Sequence, residues 1–454
     1  MAKPRDLANS VNAGGIPASN VTAASTSAAG VVQLNDTTSS TSTSQAATAN
    51  AAKAAYDRGT TGVNDAATAL SIANAAMPKT GGTFTNAVVF QGNATLASLN
   101  GDCLAGFRNR IINGGMRVCQ RAISTTVNAS NAAGIYTLDR WRAINDTDGN
   151  FTVVQSSDAP SGQGLTNSLL VTIVTADAAL AATQRASIQQ RIEGSQVMDV
   201  GLGTATAKTI LLSFWVKASV TGFYGLSVRN AASGATRSYN TIYQVSTANT
   251  WEKKTILIPG DTTGTWSTGS GVGMNLTWSL GCGSSAVGTD FWTNGDTDGG
   301  SGVTARPIQT ASATWQLAGA QLEVAGSAAT GAFTPFERRP MGLEMLLCQR
   351  YFWKSYNQDS SPSTVTTPGQ FVAVSNANGT WRITVPFKVT MRDTPTTITS
   401  YSPTTGAAGT YRDDTLGNDR ASTLVSSGMD GASFSGVTAA YATIRFHATA
   451  EAEL

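Results

Sequence analysis

The sequence is poor in charged residues. Only 13% of its 454 residues are Asp, Glu, Lys or Arg, and the net charge is +2; an ordinary soluble protein carries about 25% charged residues. A nucleic-acid-binding protein needs clustered Lys and Arg to displace the counterions of phosphates, so this composition argues against nucleic acid as a partner. Surface polarity must come from Ser, Thr, Asn and Gln, which hydrogen-bond well to neutral, polyhydroxylated partners.

Histidine and cysteine are also scarce. The single histidine, His447, leaves little scope for a metal site or a catalytic triad. Cys103, Cys119, Cys282 and Cys348 lie far apart without C-x-x-C spacing, which favours free thiols over a disulfide framework or a zinc site. No G-x-S-x-G, H-E-x-x-H or phosphate-binding loop occurs, and nothing places two carboxylates across one cleft. The sequence therefore predicts no metal, no cofactor and no enzymatic activity.

Long apolar runs and N-terminal aromatic residues are missing too. No run of 18 apolar residues exists and the amino terminus has no apolar signal-peptide core, so we expect no membrane insertion. Tyr56 is the only aromatic residue among the first 80, whereas all nine tryptophans occur from Trp141 onward. Because a core needs bulky apolar side chains, the sequence predicts a thin N-terminal region followed by globular domains.

Two helices are predicted in the thin region. Residues 44–57 are rich in alanine, Gly59 and Gly62 break that helix, and a second helix covers residues 63–77. The apolar positions of the second helix repeat at intervals of three and four, as in a coiled-coil seam: Val63, Ala66, Leu70, Ala73 and Met77. A single helix with so narrow a stripe is marginal in water, so the seam predicts association with copies of the same chain. Packing of the helix on the chain's own head domain is the alternative.

The remainder of the chain has a β pattern. Between residues 151 and 324, apolar and polar residues alternate in several runs, for example over 210–216, 224–228 and 274–280, which predicts an antiparallel β-sandwich. Residues 341–356 predict an amphipathic helix. Further short strands are predicted at 31–34, 83–90, 370–374, 381–389, 396–401 and 441–448. The expected fold is mainly β: a short α-helical coiled-coil shaft, a jelly-roll-like antiparallel β-sandwich, and a small C-terminal β-rich domain with one leading helix.

Two surfaces are candidates for binding sugars, which need flat apolar rings beside amides, hydroxyls and carboxylates. The first is formed by Trp266 and Trp292, which lie in Gly-rich loops with Asp261, Asp290 and Asn294 nearby. Aromatic plugs under long loops, or a subunit interface, are the alternative explanation for both tryptophans.

The second candidate surface is the segment 401–414. It combines rings with charge in a Gly-rich stretch through Tyr401, Tyr411, Arg412 and Asp413, with Asp414 adjacent. A solvated turn is the alternative here.

Several phrases resemble bacteriophage tail-fibre proteins. N-R-I-I-N-G-G-M-R-V-C-Q-R, followed by Y-T-L-D-R-W, resembles the signature that opens the head region of many tail fibres. A-S-T-S-A-A-G-V-V-Q-L-N-D, followed by A-K-A-A-Y-D, resembles the repeat of side-tail-fibre shafts. S-I-Q-Q-R-I-E-G and I-L-L-S-F-W-V-K-A resemble phrases of jelly-roll carbohydrate-binding modules.

The resemblance implies a domain order and a role. It implies a virion attachment segment (1–21), an Ala-rich coiled-coil shaft (22–80), a β connector and neck (81–142), the jelly-roll-like sandwich (143–340) and a C-terminal receptor-binding tip (341–454). It further implies a homotrimer in the virion tail, assembled in the host cytoplasm, with its N-terminal end on phage tail or baseplate proteins. The expected partner is a host surface polysaccharide or lipopolysaccharide. A tailspike-type polysaccharide-degrading enzyme and a purely structural tail or baseplate connector remain alternatives.

Overall fold

The computed structural model describes residues 33–41, 45–76, 107–122, 124–231, 236–325 and 334–454. The predicted attachment segment 1–21, the predicted strand 83–90 and the seam position Met77 lie outside the described residues. The chain divides into two compact units, Met1–Thr95 and Leu96–Leu454. Each unit is described by itself below.

The described part of the first unit is one helix preceded by two short strands. Strand β1 (Gln33–Asn35) pairs in parallel with β2 (Gln45–Ala47), and helix α1 covers Ala49–Ala76. The Thr48 hydroxyl accepts a hydrogen bond from the Ala51 backbone N–H at 3.1 Å and donates to Asp36, which caps the start of the helix.

The predicted helix break at Gly59 and Gly62 is wrong, because α1 runs through both glycines without interruption. A glycine costs a helix about 1 kcal/mol relative to alanine, and the alanine-rich turns on either side outweigh that cost. The hydroxyls of Thr60 and Thr61 also donate back to the carbonyl oxygens of Tyr56 and Asp57, four residues earlier.

The second unit contains a sandwich of two antiparallel sheets. Its strands are β3 (Ser124–Val127), β4 (Ile135–Tyr136), β5 (Trp141–Asn145), β6 (Asn150–Ser156), β7 (Ser168–Thr175), β8 (Arg185–Glu193), β9 (Ile210–Ala218), β10 (Gly222–Arg229), β11 (Arg237–Val245), β12 (Glu252–Ile258), β13 (Val272–Cys282), β14 (Val287–Gly288), β15 (Thr293–Asn294), β16 (Gly299–Gly300) and β17 (Thr314–Val324). The first sheet has six strands in the order β12-β9-β17-β7-β6-β3, and the second has seven in the order β15-β11-β10-β13-β8-β5-β4. A short parallel pair, β14 and β16, lies beside them.

The alternating pattern of the sequence builds the core between these sheets. The apolar residues predicted on one side of β9, β10 and β13 are all buried there, at positions Ile210, Leu212, Phe214, Val216, Tyr224, Leu226, Val228, Met274, Leu276, Trp278 and Leu280. At roughly 25 cal/mol per Å² of apolar surface, each large side chain removed from water contributes on the order of 2 kcal/mol. The predicted mainly β architecture with an antiparallel sandwich is confirmed.

The predicted boundary between neck and sandwich at residue 142 is wrong. Ile111, Met116, Leu138 and Trp141 belong to the sandwich core, and β3, β4 and β5 are strands of its two sheets. Trp141 donates its indole N–H to the carbonyl oxygen of Asn113 at 3.0 Å. The tail-fibre-like signature is therefore part of the sandwich, because its bulky side chains fill the same core as β13.

The C-terminal domain begins with a short helix and continues as two small sheets. Helix α2 covers Met341–Gln349. The strands are β18 (Phe352–Lys354), β19 (Phe371–Val374), β20 (Thr380–Pro386), β21 (Thr397–Tyr401), β22 (Thr410–Asp413), β23 (Asn418–Ala421), β24 (Thr423–Gly428), β25 (Gly431–Val437) and β26 (Thr443–Glu451). Strand β26 is central to the first sheet and pairs with β18, β19, β21 and β22, while β23 pairs with β22. The second sheet has the order β20-β25-β24.

The four strands predicted in this domain are present as β19, β20, β21 and β26, with shifted ends. The predicted helix over 341–356 is too long, because it ends at Gln349 and the chain continues as β18. Strand β18 pairs with the end of β26, nearly a hundred residues later in the chain, and Trp353 enters the domain core. The helical periodicity of this segment is overridden by that distant pairing.

The signature also joins the sandwich to the C-terminal domain. Gln120 donates from its side-chain amide to Asp139 at 2.6 Å and to the carbonyl oxygen of Phe352 at 3.1 Å. The Arg140 guanidinium lies 3.6 Å above the Tyr351 ring and pairs with Glu453. Because these groups are buried, their mutual hydrogen bonds and charge pairs are what make this junction stable.

Candidate functional site

The structure brings Trp266 and Trp292 together at one edge of the seven-stranded sheet. Trp292 directly precedes β15, which pairs with the start of β11, and Trp266 lies in the loop before β13. Their ring centroids are 5.4 Å apart with perpendicular planes, and the Tyr239 ring of β11 is 5.6 Å from that of Trp292. Two positions that are 26 apart in the chain thus form one aromatic cluster with Tyr239.

Both tryptophans are half-buried and pack against the sandwich core. The Trp292 indole N–H donates to the Pro259 carbonyl oxygen at 2.7 Å, and that of Trp266 donates to the Asp261 carboxylate and the Thr263 carbonyl oxygen at 3.3 Å each. Neither N–H is available to a ligand. Each half-buried ring therefore fits both predictions. Its buried part fills space under a loop, as the alternative of an aromatic plug expects, and its exposed part lies at the predicted binding surface.

A polar network lies beside the aromatic cluster. Arg237 holds the buried Asp261 carboxylate through two hydrogen bonds, of 2.9 Å and 2.8 Å, and donates a third at 3.1 Å to the Asn294 side chain. Burial alone would raise the pKa of Asp261, but the hydrogen bonds from Arg237, Thr263 and Trp266, together with the charge of Arg237, outweigh it and hold the pKa below the usual 3.8. The pair is thus a fixed, ionised unit that orients Asn294.

These residues border an open groove, which we call the sandwich groove. Its volume is about 650 Å³. It is lined by Thr236, Arg237, Thr263, Gly264, Thr265, Asn294, Gly295 and Asp296. A wall of hydroxyls, an amide, a guanidinium and a carboxylate can exchange hydrogen bonds with a polyhydroxylated ligand, and the aromatic cluster keeps that wall rigid.

The sequence interpretation missed two features of this surface. Arg237 sits at the centre of the polar network but carries no motif that would mark it, since its partners Asp261 and Asn294 are distant in the chain. Phe291 is 60% exposed, next to the exposed Asp290 and directly before Trp292. An exposed ring beside a polar groove is the type of surface that stacks on a sugar face.

The second predicted surface, over residues 401–414, is corrected by the structure. Tyr411 and Asp413 are fully buried on β22, and Arg412 is partly buried between them. Tyr411 donates its hydroxyl to the Val437 carbonyl oxygen at 2.8 Å, and Asp413 accepts backbone N–H groups of the turn that follows. Tyr411 and Asp413 therefore cannot contact a receptor directly, because their side chains serve the core and a turn.

The remaining members of that segment have other partners. Tyr401 is partly buried on β21, with its ring 6.1 Å from that of Tyr356. Arg412 lies 3.7 Å from the Asp419 carboxylate. Only Tyr401 and Thr410–Asp413 of this segment are in strands, and the turns between them include the buried Ser402, Pro403 and Gly406, so the segment does not form one exposed loop.

The predicted oligomerisation seam lies along helix α1. Val63 and Leu70 are 68% and 63% exposed, and Ala66 and Ala73 are exposed as well. Apolar side chains in water are available to a partner of the same kind. The seam, with Met77 outside the described residues, stays a prediction.

Within the ranges that the structure describes, no three His, Cys, Asp or Glu side chains cluster as metal ligands would. Of the helices in those ranges, none combines the length and the apolar content that crossing a bilayer requires.

The fold and the sandwich groove together define a mainly β protein with an antiparallel sandwich that presents a polar, aromatic-backed surface. Residues 25–69 match the family described as phage tail fibre repeat, which confirms the tail-fibre resemblance of the shaft. The similarity to a phage tail fibre repeat thus covers this segment of the chain. No curated relative matches the chain.

Several solved structures are similar to part of this chain at low identity. The enzymatically active domain of tailspike protein 4 from bacteriophage CBA120 is 13% identical, with 48% of this chain and 22% of that chain covered, at a TM-score of 0.26. A family 61 carbohydrate-binding module in complex with β-1,4-galactotriose is 13% identical, with 48% and 99% covered, at 0.24. The family 11 carbohydrate-binding module of a Clostridium thermocellum cellulosomal cellulase is 10% identical, with 44% and 95% covered, at 0.24. Because these similarities are low, the sandwich is defined by its own strand pairing.

Proposed function

We propose that the chain is a bacteriophage tail-fibre subunit of the virion tail that recognises a host surface glycan during adsorption, without cleaving it. The tail fibre repeat at residues 25–69 supports the placement in a fibre whose N-terminal end meets phage tail or baseplate proteins. The glycan would be a polysaccharide or the saccharide part of a lipopolysaccharide.

The observation that carries the binding role is the sandwich groove. Its hydrogen-bonding groups are held in place by the Arg237–Asp261 pair, so a ligand meets a preorganised surface and little side-chain entropy is lost on binding. Asp261 is held ionised by its arginine, which makes it unsuited to act as the proton donor of a glycoside hydrolase. A binding role is the function that this arrangement supports best.

Three copies of the chain would increase the strength of attachment. The exposed positions Val63 and Leu70 on α1 support self-association through the seam, and the number three follows from the tail-fibre resemblance. Three weak sites on one stalk raise the effective concentration at a repetitive glycan, so the overall avidity exceeds that of a single site by about 10²-fold or more.

The test is adsorption competition with the whole purified chain. A fragment from residue 143 is unsuitable, because it would lack Trp141 and the signature strands of the sandwich. We expect the wild type to block phage adsorption, and the double variant Asn294→Ala and Thr265→Ala to block it much less. The control changes the same residue types elsewhere on the sandwich, Thr166→Ala and Asn167→Ala.

Three results would contradict parts of the proposal. A wild-type protein that neither binds host cells nor blocks adsorption would indicate the structural connector. Release of reducing ends from host polysaccharide would indicate a tailspike-type enzyme. A groove variant that competes as well as its control would remove the sandwich groove from the binding surface.

A further inference from the structure

The C-terminal domain contains a larger open groove, of about 920 Å³. It lies between the three-stranded sheet β20-β25-β24 and strand β23, and we call it the C-terminal groove. Its walls combine an indole, two guanidinium groups, amides, hydroxyls and two valines. The lining residues are Asn376, Thr380, Trp381, Arg382, Asn418, Asp419, Arg420, Ala421, Thr423, Val425, Ser435, Gly436 and Val437.

Trp381 contributes to the wall of this groove, but its ring belongs to the domain core. It is only 3% exposed, its indole nitrogen is buried, and its ring centroid lies 4.8 Å from that of Tyr411. Gly436 lies opposite Trp381 in the strand pairing, and a Cβ atom at that glycine would come within 2.7 Å of both the indole nitrogen and the Tyr411 ring. The indole N–H is therefore covered by Gly436 and Tyr411. Arg382, the next residue of β20, lies on the opposite, exposed face of the strand.

Two positively charged side chains, Arg382 and Arg420, line the groove. Arg420 is fixed by a hydrogen bond of 2.8 Å from its Nε to the Val437 carbonyl oxygen, which leaves its terminal nitrogens for other acceptors. Arg382 is exposed, and in the described part of the chain no carboxylate pairs with Arg382 or Arg420. The one acidic side chain of the groove, Asp419, is already engaged by Arg412 and by three hydroxyls. The groove is therefore positive overall.

We propose that the C-terminal groove binds an acidic saccharide, with its carboxylate or phosphate between Arg382 and Arg420. Guanidinium groups form strong, charge-assisted hydrogen bonds to such anions. The hydroxyls of Thr380 and Thr423 suit the sugar hydroxyls. This site is separate from the sandwich groove and does not depend on it.

An acidic saccharide fits this groove better than a neutral glycan or a protein partner. A neutral glycan would leave both guanidinium groups without the partner that their placement favours. Among the lining residues of the groove, the large apolar side chains that are exposed are Val425 and Val437, at 42% and 60%; that is enough for one sugar face and small for a protein interface.

The test is calorimetric titration of the whole chain with three probes: a short oligogalacturonate, a hexose phosphate, and a neutral galactose oligosaccharide. We expect an acidic probe to bind, and the neutral one to bind at least about tenfold more weakly, because a charge-assisted hydrogen bond is worth roughly tenfold to a hundredfold in affinity. The two acidic probes decide whether the anion is a carboxylate or a phosphate. Binding should weaken as salt rises.

Two variants locate the site. Arg382→Gln and Arg420→Gln should each weaken binding of the acidic probe by roughly tenfold or more. The matched control is Lys388→Gln, which removes one positive charge from an exposed position of the same domain outside the groove.

Two results would overturn the proposal. One is that neither acidic probe binds better than the neutral oligosaccharide. The other is that both arginine variants bind the acidic probe as well as the Lys388 control does. Circular dichroism of each variant shows whether the protein is folded, and any variant that loses its β signal is replaced by Arg382→Lys or Arg420→Lys, which keeps the charge and removes the paired donors of the guanidinium.

Discussion

The junction between the sandwich and the C-terminal domain predicts very different effects for two glutamates that are two residues apart. Glu453 pairs with Arg121 at 2.9 Å and with Arg140, whose side chain is 1% exposed, and its own side chain is 5% exposed. Glu451 pairs with Arg121 at 3.1 Å but is 31% exposed. Glu453→Gln leaves a buried guanidinium without its counter-charge, which should cost about 3 kcal/mol or more. Glu451→Gln should cost less than about 1 kcal/mol.

The assay is equilibrium urea unfolding followed by tryptophan fluorescence, since Trp141 and Trp353 lie in the two cores on either side of this junction. We expect the Glu453 variant to unfold at a clearly lower urea concentration, and the Glu451 variant to stay close to the wild type. The reasoning is refuted if the two variants shift the midpoint equally. Arg140 would then not depend on Glu453, and the cation–π contact with Tyr351 would be sufficient for it.

Three further predictions follow. Burial lowers the pKa of His447 below 6.5, so the imidazole binds a proton more tightly in the unfolded chain than in the folded one. The free energy of unfolding should therefore fall as the pH drops from about 6.5 through that lowered pKa, and it should fall less in His447→Gln; the midpoints of urea unfolding measure both. Burial raises the pKa of Cys119 to about 11, so the thiol should resist iodoacetamide at about pH 8 until urea is added, by peptide mass mapping. An added Cβ meets nothing within 4 Å at Gly59 or Gly62, so each alanine substitution should stabilise helix α1 by about 1 kcal/mol, by thermal loss of helical circular dichroism.

The strands of the sandwich could be predicted because their information is local. The sequence of a run such as Ile210–Ala218 alternates, and every second residue of it joins the sandwich core, namely Ile210, Leu212, Phe214, Val216 and Ala218. The end of α2 could not be predicted in this way, since Phe352 and Trp353 continue an apolar pattern that suits a helix as well as a strand. Antiparallel pairing with β26 determines that this segment is a strand, because the backbone of β26 forms hydrogen bonds with β18.

The candidate sites show the same limit. Trp266 and Trp292 could be selected as aromatics in polar loops, yet their burial and their inward hydrogen bonds depend on Pro259 and Asp261, which no local pattern links to them. The prediction that Tyr411 lies on a binding surface is wrong, because a Gly-rich segment suggests an exposed loop whereas Tyr411 is buried on β22. The alternation of T-Y-R-D over β22 is the signal that could have placed Tyr411 and Asp413 inside.

The most recognisable phrase of the chain is largely buried. Gln120, Asp139 and Arg140 are buried, and their partners are backbone and side chains of the sandwich and the C-terminal domain. Buried polar groups need all of these partners at once, so such a phrase tolerates little change for reasons of stability alone. Under the proposed functions, a ligand would instead meet side chains that face solvent outside the core, such as Asn294 in the sandwich groove and Arg382 in the C-terminal groove.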